Sequence, residues 1–501
     1  AGPRAGGSVA RQEPGTAAGA AGLTFEPAPF DGDEDGLHLM AVPSISFHDG
    51  RGANRPWMQE LPDPVSKAVW GSWIEVHPET AKRLGIGHGD MVTVTSPHGT
   101  LDVPVFFYPG IRRDTVAIPI GQGHTEYGRT AKGRGANPIV LLPADVDGVS
   151  GGRAWFGTRV TLRPSAAAGR LIEMQGSPHQ ESRGIALALS LPEAREAAAR
   201  PEESESARLM ERIAGDAAPE SPYRWGMTID LAKCVGCSAC VTACYMENNI
   251  NVVGPDDCEK GRELTWLRIE RYWEEENRGG GFSARYLPML CQHCGQAPCE
   301  PVCPVYAAYH NPDGLNAQVY NRCVGTRYCA NNCPYKVRKF NFFDYPVADS
   351  LNLQWNPDVT VRSKGVMEKC TFCVQRIREA KIHAGEEDRE VRDGEVVTAC
   401  QVACPTQAIV FGNLRDPQSR VRREALNGRG YSVLASLNTR SAITYLADVV
   451  DTDRPLRRSA GHGERDVTHG PGTAEKEAAG GKRAGSVGTE EPPVAPNGGS
   501  H

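Results

Sequence analysis

Sixteen cysteines in a 501-residue chain all fall between Cys234 and Cys404. Cys234, Cys237, Cys240 and Cys244 are spaced C-x2-C-x2-C-x3-C, and Cys291, Cys294, Cys299 and Cys303 follow as C-x2-C-x4-C-x3-C-P. Cys323, Cys329 and Cys333 lie in C-V-G-T-R-Y-C-A-N-N-C-P, and a split group pairs Cys370 and Cys373 with Cys400 and Cys404. Cys258 stands outside this scheme and reads as a bystander thiol. Thiolates two residues apart let one tight loop reach several irons of a compact anionic core while its amides point at the sulfurs. A structural zinc site would use two separated C-x2-C pairs, which the last group alone would satisfy. Eight disulfides are the other alternative. The tight repeats and the prolines at 304, 334 and 405 favour iron and sulfur over both.

In a two-cluster ferredoxin the last cysteine of each motif, the one before the proline, ligates the other cluster. Applied here, that rule gives one site to Cys234, Cys237, Cys240 and Cys404, and a second to Cys370, Cys373, Cys400 and Cys244. A third takes Cys291, Cys294, Cys299 and Cys333. The fourth is left with Cys323, Cys329 and Cys303, and Thr326 stands where a cysteine is due. A hydroxyl is a poor iron ligand beside thiolate, so three [4Fe-4S] clusters and one [3Fe-4S] cluster are expected. A four-iron cluster with an oxygen ligand is the alternative at Thr326. No nucleophile–base pair or carboxylate dyad surrounds these motifs, so no catalytic residue is assigned and the expected work is single-electron relay. His293 and His310 are expected as hydrogen-bonding neighbours of the sites, and the basic run 335–340 as balance for cluster charge.

The elements that must position these loops are short. The net charge of −6 gives a nucleic-acid role no support. No apolar run approaches the roughly 18–20 residues that cross a bilayer, so any membrane association is expected to go through a partner. The sequence opens on Ala1, as a processed chain or a fragment would. Residues 1–22 and 456–501 read as disordered tails. Between them come a small β-barrel (23–164), a charged linker acting as a surface connection (165–220) and the cysteine-rich domain (221–455). Strands are expected at 91–95, 101–107 and 116–119, and a proline-opened helix at 77–84 ended by Gly85. In the linker, 192–199 and 204–213 look helical. The run 223–234 reads as a strand feeding the first loop, 264–272 as strand-like, and 405–411 as a closing helix-to-strand passage.

The segments PWMQELPDP (56–64), WGSWIEVHPETA (70–81), LGIGHGDMV (84–92) and GQGHTEYGR (121–129) resemble the C-terminal dinucleotide-binding barrel of molybdopterin oxidoreductases. That resemblance makes Gly121, Gln122, Gly123, His124, Thr125 and Tyr127 the loop facing a pterin or phosphate. The favoured reading is a structural loop in a barrel without its cofactor; a molybdopterin is the alternative, and the catalytic domains that hold most of it are absent from this sequence. The four motifs of 223–413 resemble the four-cluster electron-transfer subunits of dimethyl-sulfoxide, polysulfide and nitrate reductases. The fusion of both modules resembles the B subunits of alternative complex III, a quinol-oxidising bacterial respiratory complex. That implies an α+β protein, a barrel followed by a duplicated ferredoxin-like iron–sulfur domain. It also implies an integral membrane quinone-binding subunit and a cytochrome c-type subunit as partners, on the periplasmic face of the cytoplasmic membrane. The competing reading is the electron-transfer part of a molybdopterin-dependent reductase.

Overall fold

The computed structural model describes residues 30–146, 151–153, 155–181, 183–275, 282–345, 347 and 350–450. Both expected tails lie outside them. Six strands close the barrel: β1 (Leu37–Pro43), β2 (Ile74–Val76), β3 (Met91–Thr95), β4 (Thr100–Phe107), β5 (Thr115–Ile120) and β6 (Arg159–Pro164), in the order β1-β5-β2-β4-β3-β6. Alternation builds it. Val92 and Val94 of β3, with Thr93 between them, point inward against Val103 and Val105 of β4, and β3 pairs antiparallel with both β4 and β6. Strand β5 is buried at all six positions because it lies between β1, in parallel, and β2, antiparallel. The expected helix is Pro78–Leu84. The His77 ring accepts the Glu79 N–H at 3.1 Å, and Gly85, at φ 68°, ends it in the left-handed conformation.

In the cysteine-rich domain, β7 (Trp225–Asp230), β8 (Ile409–Asn413), β9 (Gly430–Tyr431) and β10 (Ile443–Leu446) form one sheet, ordered β8-β7-β10-β9. The strand-like stretch predicted at 264–272 is the hairpin Arg268–Glu275 with Phe282–Met289. The expected helix-to-strand passage at 405–411 is a turn running into β8; the short helix Ala399–Val402 lies ahead of it. The fold then continues through β9 and β10, which supply half of the sheet.

Residues 165–220 differ from a surface connection. Both helices form, as Leu191–Ala199 and Glu205–Ala214, the first opened by a reciprocal Ser190–Glu193 capping box. Met210 and Ile213 of the second are buried against Val410, Leu414 and Val421. Upstream, Ile172–Glu173 pairs with Ala68–Val69, and Ala188–Ser190 pairs with Asp448–Val450. Charge on the outer faces hid an apolar seam that neither neighbouring region covers alone.

Candidate metal centres

The backbone of each cysteine loop is bent by residues in the left-handed region. Gly236 (φ 68°) and Ser238 (φ 61°) turn the first loop, and Gly325 (φ 74°) and Arg327 (φ 62°) make the same turn in the third. His293, at φ 42°, and Phe372, at φ 55°, hold the matching position in C-Q-H-C and C-T-F-C. These bends aim successive sulfurs inward instead of along a strand.

Four small cysteine-lined cavities result. One is lined by Cys234, Cys237, Cys240 and Cys404, the next by Cys244, Cys370, Cys373 and Cys400. A third has Cys291, Cys294, Cys299 and Cys333, and the fourth Cys303, Cys323 and Cys329 with Thr326. The structure thus brings together the four sets of the crossed pairing. All sixteen cysteines are free thiols, so no disulfide framework exists. Among the described residues no three His, Cys, Asp or Glu side chains close around a single ion. Each cavity gathers cysteine sulfurs on its lining, the donor set of an iron–sulfur core. Cys258 packs on Val69, Trp70 and Ile172, away from every cavity.

Burial decides the state of the thiols. It pushes Cys234 up to about 11 and Cys299 and Cys373 up to about 12, and it holds Cys240, Cys244 and Cys370 far above the ordinary thiol range. Without a cation these sulfurs keep their protons at neutral pH, so iron has to supply the charge that displaces them. Cys303 runs the other way. Burial raises it, but the N–H groups of Ala308, Val305 and Ala307 and the charge of Arg338 together outweigh that.

Hydrogen bonds to sulfur favour the anionic form. Ala408 N–H meets Cys404 Sγ at 3.2 Å, Ala307 N–H meets Cys303 Sγ at 3.1 Å, and Met367 N–H meets Cys323 Sγ at 3.4 Å. Asn248 Nδ2 donates to Cys244 Sγ at 3.5 Å, and Thr398 Oγ1 lies 3.2 Å from Cys400 Sγ. Within the basic run, Arg338 is buried, and its Nη1 donates to Cys299 Sγ at 3.4 Å and to Asn316 Oδ1 at 3.1 Å. The charge of Cys329, from the neighbouring cavity, also raises its pKa. Lys339 pairs with Glu263 instead, and Lys336 reaches the Asn331 carbonyl at 2.7 Å. Only part of the run therefore balances cluster charge. His310 bridges Glu300 (2.8 Å) and the Cys294 carbonyl (2.7 Å), and His293 Nδ1 accepts the Asn316 N–H at 3.2 Å.

The sites fall in a row. Cys240 and Cys244 leave the helix Ala239–Glu247 one turn apart, about 6 Å along its axis, for the first and second cavities. Cys329 and, just past its end, Cys333 leave the helix Tyr328–Asn332 for the fourth and third. The second and third meet where the His293 and Phe372 rings stack with centroids 3.9 Å apart. That stack, and the buried Arg362–Glu368 pair reaching Asn248 O through Arg362 Nη1 at 2.8 Å, had no signal in residue spacing.

The loop at 121–127 is spent on its own domain. Gln122 and Gln59 exchange buried side-chain hydrogen bonds of 2.7 and 3.1 Å. Tyr127 Oη donates to the Arg51 carbonyl at 3.2 Å, and a Cβ on Gly123 would lie 2.4 Å from Asn137 N. The glycines serve close packing of backbone on backbone. Thr125 is exposed, and the His124 ring lies tilted beside that of Tyr127, centroids 4.9 Å apart.

Comparison with known proteins agrees with this division. Residues 48–156 match the model of the molydopterin dinucleotide binding domain; residues 233–307 and 282–345 each match a 4Fe-4S dicluster domain. The iron-sulfur cluster-binding subunit of a menaquinone reductase from Nitratidesulfovibrio vulgaris is 43% identical over 235 residues, 46% of this chain and 90% of that protein. The chain belongs to this family of iron–sulfur subunits. Iron-sulfur subunit 1 of the Hdr-like menaquinol oxidoreductase of Archaeoglobus fulgidus is 35% identical over 44% of this chain and 82% of its own length. The iron-sulfur subunit of a dimethyl sulfoxide reductase from Halobacterium salinarum is 32% identical over 52% and 92%. The expected α+β architecture and electron-transfer role of the subunit are both borne out. No helix among the described residues is long and apolar enough to cross a membrane.

Proposed function

We propose that this iron–sulfur subunit relays single electrons inside a quinol-oxidising respiratory complex of the alternative complex III kind, peripheral on the periplasmic face of the cytoplasmic membrane. The observation that carries the reading is the row of four cysteine-lined cavities, the last closed by Thr326, behind a molybdopterin-type barrel whose loop is filled by its own side chains. Clusters bound there supply one-electron chemistry. The chain's own part would be to hold neighbouring clusters through cysteines of one short helix, keep water from the sulfurs and set the charge beside each. Its partners are an integral membrane quinone-binding subunit, which supplies the electrons, and a cytochrome c-type subunit, which takes them up. Menaquinone and menaquinol in the names of two relatives support the quinone assignment.

The ligand sets support a count of three [4Fe-4S] clusters and one [3Fe-4S] cluster, with a four-iron cluster carrying an oxygen ligand as the alternative at Thr326. Elemental analysis of the anaerobically purified complex tests this. About 15 irons per copy of the chain after subtracting haem iron, with no molybdenum, is the expected result. Stoichiometric molybdenum would transfer the chain to a molybdopterin-dependent reductase, the class the dimethyl sulfoxide reductase relative represents.

A further inference from the structure

Lys67 belongs to the barrel region, yet its side chain faces the Tyr286 ring of the cysteine-rich domain. It is 2% exposed, its Nζ has no hydrogen-bond partner among the described residues, and its backbone sits at φ 62°, strained for a side chain with a Cβ. The turn 63–67 delivers it, closed by Lys67 N–H to the Asp63 carbonyl at 3.0 Å. Asp63 is the strongest favourable charge on it but makes no hydrogen bond to the ammonium; its carboxylate accepts the Val65 and Ser66 N–H groups at 2.9 and 2.8 Å and the Ser66 hydroxyl at 3.0 Å. Glu270 pairs with Arg268. Arg271, anchored by its Nε to the Val65 carbonyl at 2.8 Å, adds repulsion from the hairpin.

What faces the ammonium is the Tyr286 ring, 5.7 Å from Nζ to centroid. That ring lies on the first cysteine loop so closely that a Cβ on Gly236 would come within 2.6 Å of it. Lys67 and the Cys234 sulfur also act on each other electrostatically, each favouring the other's charged form. A buried ammonium with no hydrogen-bonded carboxylate is costly, and beyond Asp63 and Glu270 the four-thiolate site of Cys234, Cys237, Cys240 and Cys404 adds an anion on the far side of the Tyr286 ring.

We infer that Lys67 is a positioning residue for electron transfer: it places a positive charge behind Tyr286 and raises the potential of the cluster held by Cys234, Cys237, Cys240 and Cys404. The barrel thereby acts on the first site of the row with no pterin of its own. This rests on the iron–sulfur reading above. Electrostatics gives the sign, since a nearby cation favours the more negative, reduced form of a cluster.

The test is a potentiometric titration of the anaerobically purified complex, followed by electron paramagnetic resonance, for wild type, Lys67→Gln and Lys67→Arg, with iron counted in each sample. In Lys67→Gln one four-iron centre becomes at least about tenfold harder to reduce, a fall of about 59 mV for a one-electron couple. The other centres move less, and Lys67→Arg stays near wild type. Unchanged potentials in a fully iron-loaded Lys67→Gln protein would overturn the inference. So would an equal fall in Lys67→Arg, since shape and not charge would then be at work. Should Lys67→Gln not accumulate, Lys67→Met, which fills the space without charge, takes its place under the same criteria. A wild-type complex lacking iron would overturn the underlying reading instead, which the iron count reveals directly.

Discussion

Thr326 occupies the position of the fourth site's missing sulfur, in a cavity where Cys303, Cys323 and Cys329 already converge. Thr326→Cys restores the fourth thiolate on an unaltered turn. The expected outcome is loss of the three-iron resonance in the oxidised protein and a gain of about one iron per chain, with a lower potential for that centre. Retention of the three-iron signal at full strength would show that something other than the hydroxyl excludes the fourth iron. A second residue controls pH behaviour. Glu60 is fully buried, and burial pushes its carboxyl up to about 8 even though Oε2 accepts the Val253 and Gly254 N–H groups at 2.7 and 2.8 Å. The folded protein therefore keeps a proton that the unfolded chain loses near 4.5. Its stability falls as pH rises from about 4.5 to about 8, by a few kcal/mol, and the cost is fully present above that window. Glu60→Gln flattens the fall: the difference in unfolding temperature between pH 5 and pH 9 shrinks relative to wild type.

At the scale of elements, the cysteine loops depend on turns through the left-handed region. Gly236 combines φ 68° with the Tyr286 ring where a Cβ would go. Gly236→Ala must strain the turn or push the ring away, and either moves Cys234 and Cys237. Iron content is expected to drop by about one cluster, with the three other centres unchanged in resonance. Ser238 and Arg327 accept the same left-handed conformation without being glycine, so the turn itself is tolerated and the tyrosine contact is what singles out Gly236. Much of this was legible beforehand. The helix closed by Gly85, the strands of the barrel and the cysteine groupings follow from periodicity, turn residues and ligand spacing. The packing of 165–220 was not, because its apolar face is short and is completed only by Val410, Leu414 and Val421 from two hundred residues away.

For the molecule as a whole, two kinds of core are joined. The barrel encloses its own aliphatic cluster, with Leu39, Ile74, Val92, Val105 and Ile118 almost fully buried. The second core is threaded with cysteines, and there metal takes over part of what hydrophobic burial does elsewhere. Chelating the iron is therefore expected to split unfolding into two transitions. Hydrogen exchange should then show residues 37–43 and 91–107 still protected while 225–230 and 443–446 exchange freely. A single transition with uniform protection would mean that the interface, where Trp57 Nε1 reaches the Ile250 carbonyl at 3.0 Å and Tyr108 stacks on Trp273, holds both together without metal.

Local chemistry is what the sequence by itself determined: ligand type, loop spacing, the crossed sharing of cysteines, the odd threonine and the barrel's strand pattern. Each of these is encoded within a few residues or in a repeat, so reading along the chain recovers it. Only the tertiary structure decided which charges stand beside which sulfurs. Arg338 lies 39 residues from the sulfur it touches, the His293–Phe372 stack joins two loops, and Lys67 crosses from one core to the other. Contacts of that kind depend on how separate layers pack, and no local pattern carries them.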